Sequence, residues 1–154
     1  MTAPSTPRRG FRDLLRRRDV DRDVVKTDAE WREQLTHEQF RVLRGHGTER
    51  PFAGSLPAAD ERGIYRCAGC GADLFRADTK FESGTGWPSF TDSEPRGVEV
   101  RRDFSMGVPR TEVLCRRCGG HLGHVFNDGP GPGGKRYCIN ACVLDRREGA
   151  DPRP

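Results

Sequence analysis

Four of the six cysteines form two short pairs, Cys67-x-x-Cys70 and Cys115-x-x-Cys118, with 44 residues between the pairs. Each pair is typical of a tight turn that directs two sulfurs toward one point, and two such turns supply the ligands of a tetrahedral Zn²⁺ site. Two alternatives stay open. The pairs could be redox-active dithiols, although the βαβ setting of that motif is missing, or four unligated buried thiols. The spacing favours one structural zinc ion per chain, bound by Cys67, Cys70, Cys115 and Cys118.

The other two cysteines, Cys138 and Cys142, lie four residues apart. The residues around Cys138 alternate as in a β-strand, so Arg136, Cys138 and Asn140 share one face. The charge of Arg136 favours the thiolate, and Asn140 offers hydrogen bonds to the sulfur or to a bound substrate. Cys138 is therefore either an activated nucleophile or a buried cysteine of an amphipathic strand.

Polar and aromatic groups of two further segments add to this chemistry. His121, His124 and Asp128 fall within eight residues, which is typical of a pocket that handles protons. The alternative is a metal bound by the two histidines, but no third ligand has a clear spacing. Trp87-Pro88 follows two glycines, and this rigid turn presents an indole either at a surface or in the core.

The elements that must position these groups are short strands. Only 33% of the residues are hydrophobic, with 19 Gly and 11 Pro, which is typical of a loop-rich, mainly β domain. Thr27, followed by Asp28 and Glu30, predicts a helix start, and short helical pieces continue to His46. Strands are predicted over residues 64–66, 98–100, 112–114 and 136–140.

The basic charge is confined to one segment. Residues 1–26 hold eight Lys or Arg and four Asp or Glu, which accounts for the net charge of +4. We predict a disordered basic extension over 1–26, a folded domain over 27–146 and a C-terminal tail over 147–154. Because the domain itself is neutral, we expect no binding of nucleic acid.

No apolar run approaches the roughly 20 residues of a membrane span, so we expect no membrane association. The pair Arg8-Arg9 weakly resembles a twin-arginine export signal. Charged residues follow it where such a signal needs an apolar stretch, so we predict a cytoplasmic, reducing location.

Taken together, these segments resemble the methionine-R-sulfoxide reductases of B type, in their zinc-containing branch. The similarity covers residues 27–146, and the motifs come in the family's order. They are Thr48-Glu49-x-Pro51-Phe52-x-Gly54, Cys67-x-x-Cys70, Ser83-Gly84-x-Gly86-Trp87-Pro88-Ser89-Phe90, Arg110-Thr111-Glu112-Val113-x-Cys115-x-x-Cys118, His121-Leu122-Gly123-His124-Val125-Phe126-x-Asp128-Gly129-Pro130 and Arg136-Tyr137-Cys138-Ile139-Asn140.

The resemblance implies a fold and an activity. The fold is a β-tent of two antiparallel sheets with short N-terminal helices. The activity is that of a peptide-methionine (R)-S-oxide reductase, which repairs oxidised proteins in the response to oxidative stress. Cys138 would attack the sulfoxide and become a sulfenic acid, while Trp87 packs on the substrate's methyl group. The positions that the family uses around the sulfoxide are His121, His124, Asp128, Arg136 and Asn140.

One position departs from the family pattern. Many members carry a resolving cysteine between the two glycines before Trp-Pro, where this chain has Thr85. Cys142 lies about 13 Å from Cys138 along a strand at roughly 3.3 Å per residue, and a disulfide needs Cα atoms within about 7 Å. A bond between them requires the strand to bend. We therefore expect a monomeric enzyme reduced from outside, by thioredoxin or by a small thiol with a glutaredoxin-like partner.

Two other functions fit part of the sequence. A zinc-ribbon module that binds protein or nucleic acid explains the cysteine pairs and the basic extension, but not Trp87, the histidines or Cys138. A disulfide oxidoreductase would use the paired cysteines themselves, which a bound zinc ion would occupy.

Overall fold

The computed structural model describes residues 22–53, 62–105 and 107–147. Within these ranges the chain forms two short α-helices followed by nine strands in two antiparallel sheets, which confirms the predicted fold class. Residues 1–21 of the predicted extension, Gly54, and residues 148–154 of the predicted tail lie outside the described residues. A search of the described helices finds none with the length and apolar character that crossing a membrane requires.

The two helices begin with the same local signal. Helix α1 spans Asp28–Gln34 and helix α2 spans His37–Leu43. Each is preceded by a threonine whose hydroxyl accepts from the backbone N–H three residues on, while the side chain there accepts from the threonine N–H in return. This capping box satisfies backbone groups that the first turn leaves free. The helix start predicted at Thr27 is confirmed.

The strands form a small sheet and a large one. The small sheet has the order β2-β1-β9, and the large one the order β3-β4-β8-β7-β6-β5. The predicted strands are all present, although the last ends at Ile139 instead of Asn140. The strands are β1 Ile64–Cys67, β2 Asp73–Arg76, β3 Lys80–Phe81, β4 Ser89–Phe90, β5 Val98–Asp103, β6 Arg110–Cys115, β7 His121–Phe126, β8 Arg136–Ile139 and β9 Leu144–Arg147.

Aromatic rings connect the two sheets. Phe90 of β4 in the large sheet stacks on Phe75 of β2 in the small sheet, with ring centroids 4.5 Å apart. Tyr65 of β1 meets the same Phe90 ring edge-on at 5.4 Å. All three residues are fully buried. Such aromatic contacts add to the apolar area removed from water, and they fix how the sheets lie on each other.

Residues 22–26 belong to the predicted extension, yet the structure describes them against the domain. The Arg22 guanidinium pairs with the Glu99 carboxylate of β5 at 2.5 and 2.9 Å. The Val24 N–H donates to the carbonyl oxygen of Arg117 at 3.0 Å. The domain boundary at residue 26 stays a prediction. Arg22 and Val24 contact the domain although they precede this boundary.

Candidate active site

The two cysteine pairs occupy two turns of the same construction. The first turn follows β1 and the second follows β6. In each turn the glycine after the second cysteine donates its N–H to the carbonyl oxygen of the first cysteine, Gly71 to Cys67 at 2.8 Å and Gly119 to Cys115 at 2.7 Å. Both glycines have a φ of 79°, a conformation that a side chain disfavours. The two Cys-x-x-Cys pairs of the sequence thus share the same backbone structure.

The four sulfurs of these turns converge, which confirms the predicted cluster. The Sγ atoms of Cys67 and Cys118 lie 3.8 Å apart, and those of Cys70 and Cys115 lie 3.5 Å apart. Four sulfurs at the usual Zn–S distance of about 2.3 Å form a tetrahedron with edges of roughly 3.8 Å. Hydrogen bonding to the other sulfurs, together with burial, raises the pKa of Cys67 and Cys115. The four groups therefore fit a metal ion, which would allow all of them to be thiolates.

A separate cavity of about 280 Å³ opens over the middle of the large sheet. Pockets for drug-sized ligands have volumes of roughly 300–1,000 Å³, so a cavity of this size suits a single side chain. A thiol, an imidazole, two guanidinium groups and an indole share its wall. The lining residues are Thr48, Thr85, Trp87, Arg110, Gly123, His124, Phe126, Arg136, Cys138 and Asn140.

Strand pairing fixes the neighbours of Cys138. In the register of β7 and β8, His124 is directly opposite Cys138, and in that of β4 and β8 Ser89 is opposite it. Side chains at opposed positions point to the same face of the sheet. Gly123 allows the close approach of β8, because a Cβ on it would lie 2.0 Å from the Cys138 carbonyl oxygen. The thiol and the imidazole are therefore held side by side.

The Cys138 sulfur rests as a thiol. Burial raises its pKa above the ordinary value, while the charge of Arg136 and a hydrogen bond from Thr85 lower it by less. Arg136 also pairs with Asp128, with two bonds of 2.8 and 3.1 Å that hold its guanidinium and share its charge. Arg136 favours the thiolate, as the sequence predicts, but burial outweighs this effect and the net pKa of Cys138 is raised.

His124 is held as a neutral ring. Burial lowers the pKa of His124 more than its hydrogen bond to Asp103 raises it. That bond joins His124 Nε2 to Asp103 Oδ2 at 2.8 Å. Burial alone would raise the pKa of Asp103, but hydrogen bonds from His124 and Ser105 lower it to about 2. The charged carboxylate therefore accepts from Nε2–H, which leaves His124 Nδ1 free to accept a proton.

The remaining sequence-predicted residues stand at different distances from the cavity. Trp87, His124, Arg136, Cys138 and Asn140 line it together. Two others are not part of its lining: Asp128 is exposed and pairs with Arg136, and His121 is buried against Glu112.

His121 belongs to a buried network. Its Nδ1 lies 2.6 Å from Glu112 Oε2, and His46 Nδ1 reaches the same oxygen at 2.9 Å. The His121 ring also meets the His124 ring edge-on, with centroids 5.5 Å apart. His46, Glu112 and His121 form a group of three possible metal ligands, which the spacing of His121 and His124 in the sequence did not reveal. These three residues could hold a metal ion, but Nδ1 of His46 and Nδ1 of His121 are each already hydrogen-bonded to Glu112.

Glu49 carries no chemical signal in the sequence beyond its place in a motif, yet it connects much of the site. Its backbone carbonyl accepts from Trp87 Nε1–H at 3.0 Å, and its N–H donates to Asn140 Oδ1 at 3.0 Å. Its buried carboxylate accepts from the N–H of Ala141 at 2.6 Å and of Cys142 at 3.3 Å. Asn140 Nδ2 donates in turn to the Leu122 carbonyl oxygen at 2.9 Å. The Asn140 amide is thus fixed by the backbone.

The structure corrects one premise about Cys142. The strand does not run straight to this residue, because β8 ends at Ile139 and Ala141–Val143 forms a 3₁₀ turn. The separation expected along a straight strand therefore does not apply. Burial, together with the charge of Glu49, raises the pKa of Cys142 to about 12. Its sulfur is a protonated, partly buried thiol that packs against the core.

A larger cavity of about 540 Å³ lies beside the cysteine turns. Charged residues of both signs dominate its wall, and neither a thiol nor an aromatic ring is part of it. The lining residues are Asp23, Arg66, Gly71, Ala72, Asp73, Glu94, Arg96, Gly97, Arg116 and Arg117. The groups suited to sulfur chemistry are in the smaller cavity.

Comparison with known proteins agrees with this site. The family model described as the SelR domain matches residues 35–148. The chain belongs to this family, the methionine-R-sulfoxide reductases of B type. Among its relatives is the peptide methionine sulfoxide reductase MsrB of Methanosarcina barkeri, 58% identical over 124 residues, which cover 79% of this chain and 87% of the relative. The MsrB of Leptospira interrogans is 55% identical over 79% of this chain and 94% of its own. That of Agrobacterium fabrum is 58% identical over 76% and 87%.

Proposed function

We propose that this protein is a peptide-methionine (R)-S-oxide reductase in which Cys138 is the nucleophile. The observation that carries the proposal is the cavity over β7 and β8, where a thiol, a neutral imidazole and an indole share one wall. The sulfur of a sulfoxide is electrophilic, so a thiol held beside a proton acceptor suits it. A zinc-ribbon binding module would leave this cavity without a use.

The substrate side chain fits the cavity in one orientation. The Trp87 indole is fixed by the hydrogen bond from its Nε1–H to Glu49, so its face is held in the wall. We assign that face to the methyl group of methionine sulfoxide. Arg136 lies on the same face of β8 as Cys138, near the position of the sulfoxide oxygen. Fixed contacts on three sides of a chiral sulfur select one epimer, and membership of the family of methionine-R-sulfoxide reductases assigns it as R.

Proton transfer in the site needs no outside donor. His124 Nδ1 takes the proton of the Cys138 thiol as the sulfur attacks the substrate sulfur, and the imidazolium returns it to the sulfoxide oxygen. The S–O bond of the substrate breaks and the hydroxyl passes to Cys138. The products are methionine and a cysteine sulfenic acid. Asp103 is a positioning residue, because it sets the tautomer of His124 and stabilises its charged form.

The enzyme is restored by thiols from outside the chain. One external thiol condenses with the sulfenic acid, which releases water and gives a mixed disulfide. A second thiol then frees Cys138 and leaves as an external disulfide. Thioredoxin, or a small thiol with a glutaredoxin-like partner, supplies these electrons to a monomeric enzyme in the cytoplasm.

Zinc is the metal that the four-sulfur cluster fits best. Four thiolates complete its coordination, so the ion supplies charge and cross-linking and takes no part in the reaction. It would be bound by Cys67, Cys70, Cys115 and Cys118.

The first prediction tests the reaction itself. Wild-type protein with dithiothreitol should reduce the R epimer of a methionine sulfoxide peptide and leave the S epimer largely unchanged. Cys138→Ser should lose turnover by a factor of at least about 10³, because a hydroxyl cannot replace the thiol. Chromatography of the peptide products measures both rates. Cys142→Ser is the matched control and should retain activity. Turnover in Cys138→Ser equal to that of wild type would show the assignment to be wrong.

A further inference from the structure

Phe52 has a backbone conformation that its residue type disfavours. The Ala53 N–H donates to the Arg50 carbonyl oxygen at 3.0 Å, which closes a four-residue turn with Pro51 and Phe52 at its centre. Phe52 has a φ of 63°. Proline in the second position and a positive φ in the third are the pattern of a type II turn, whose third position favours glycine. A bulky side chain there costs stability.

The ring does not offset this cost by burial. Phe52 is 78% exposed, more than any other large hydrophobic side chain in the parts of the chain that the structure describes. A strained backbone that carries an exposed aromatic ring is a poor arrangement for stability alone. Strain of this kind is concentrated at sites of binding and catalysis.

The turn is attached to the wall of the cavity. The Phe52 N–H donates to the Gly86 carbonyl oxygen at 2.7 Å. A Cβ on Gly86 would lie 2.8 Å from carbon atoms of the Phe52 ring, so ring and loop are in direct contact. Gly86 stands between Thr85 and Trp87, which both line the cavity. The exposed ring therefore lies just outside the position proposed for the methionine sulfoxide side chain.

We propose that Phe52 is a substrate-binding residue that recognises a polypeptide with an apolar residue beside the methionine sulfoxide. This inference rests on the proposed function. The cavity has room for one side chain, so the neighbouring residues of a bound polypeptide lie on the surface around it. An exposed phenyl ring at that edge offers an apolar contact that a free amino acid cannot use.

The experiment compares two substrates and three proteins. The substrates are N-acetylmethionine-R-sulfoxide amide and a hexapeptide with the same sulfoxide between leucine and phenylalanine. In Phe52→Gly, kcat/KM for the hexapeptide relative to the amide should fall about fivefold through KM, as expected for the loss of one aromatic contact. The melting temperature should stay equal or rise, because glycine accepts the positive φ without strain. Phe104→Ala removes another exposed aromatic ring and should leave the ratio as in wild type.

The outcomes separate the inference from the function on which it rests. A wild-type protein that reduces neither substrate contradicts the proposed function. A wild-type protein active on both, with an unchanged ratio in Phe52→Gly, overturns the role of Phe52. A lower melting temperature with equal losses on both substrates also overturns it, since the ring would then only support the Trp87 loop. An equal fall in Phe104→Ala overturns it as well, because any lost apolar surface would have the same effect.

Discussion

Cys138 is placed between influences of opposite sign. Burial raises its pKa, and the neighbouring Arg136 and Thr85 lower it by a smaller amount. A resting thiol is less open to unwanted alkylation or oxidation than a thiolate, because the thiolate is the nucleophile. The reaction then requires a proton acceptor at the moment of attack, and His124 is the register partner of Cys138 on the next strand. In the proposed reaction, the Cys138 thiol therefore loses its proton only when a substrate is present for it to attack.

In the proposed cycle, the residue at position 85 decides how Cys138 is restored. Thr85 lines the same cavity as Cys138 and lowers the pKa of its thiol, so we expect a sulfur at position 85 to reach Cys138. After one turnover without reductant, wild-type protein should keep its sulfenic acid and react with dimedone. The Thr85→Cys variant should instead form a disulfide between the introduced thiol and Cys138, and so lose the label. Mass spectrometry of the oxidised protein distinguishes the two products.

Cys142→Ser is the control for this prediction. Its dimedone labelling should equal that of wild type, because the Cys142 thiol, with a pKa of about 12, is protonated at neutral pH. A Cys138–Cys142 disulfide that forms as fast as turnover would contradict the prediction and make Cys142 the resolving residue.

Among the elements, the pairing of β7 with β8 does most to build the site. It sets His124 beside Cys138 and, through Gly123, brings the two backbones close. The segment after α2 then closes the cavity from the side, because Glu49 bonds to Trp87, to Asn140 and to the turn after β8. Strand β8 is thus held by β7 on one side and β4 on the other, and by the Glu49 segment at its end.

Glu49→Gln tests this second attachment. Glutamine keeps the volume but leaves one of two backbone N–H groups without its carboxylate acceptor, so stability should fall by about 1–3 kcal/mol. The shift of Asn140 and Trp87 should lower kcat/KM roughly tenfold. Urea unfolding and steady-state kinetics measure the two effects. Glu38→Gln, whose carboxylate is exposed, should change stability by less than about 1 kcal/mol. If Glu49→Gln kept the stability and the kcat/KM of wild type, the hydrogen bonds of the Glu49 carboxylate would not be needed for the site.

How far these elements could be predicted depends on the sequence distance of their partners. The capping at Thr27, the two cysteine turns and the alternation around Cys138 are local patterns, and the sequence alone predicts all of them. Glu49 acts on Asn140 across 91 residues, and Asp103 acts on His124 across 21. No local periodicity marks such partners. The balance between burial and Arg136 at Cys138 likewise depends on a sheet that only the fold brings together.

For the whole molecule, the cysteine cluster joins the two sheets. Cys67 ends β1 in the small sheet, and Cys115 ends β6 in the large one. The helices cover the same cluster, since Trp31 of α1 lies against Gly69 and Leu43 of α2 against Gly120. In a small domain with a limited core, such a cross-link supplies stability that packing alone does not. A metal ion bound by these four sulfurs would therefore be a part of the fold.

Cys67→Ser should separate this structural role from catalysis. The variant should lose its metal and several kcal/mol of unfolding free energy, because metal binding and folding are coupled. Elemental analysis should give about one zinc per chain in wild type and in Cys142→Ser, and much less in Cys67→Ser. Scanning calorimetry follows stability in the same samples. Active wild-type protein without metal would contradict the assignment of the cluster.

The burial of the cysteine cluster also determines how readily oxidants reach each of its sulfurs. Cys67, Cys115 and Cys118 are at most 2% exposed, whereas Cys138 faces the cavity and Cys70 is only partly covered. At Cys138 a peroxide gives the same sulfenic acid that external thiols remove in the proposed cycle. Damage becomes lasting when Cys138 is oxidised beyond the sulfenic acid or when oxidation reaches the cysteine cluster, of which Cys70 is the most accessible member. Of the four cluster cysteines, Cys70 is therefore the one through which oxidation would first cost the domain its cross-link.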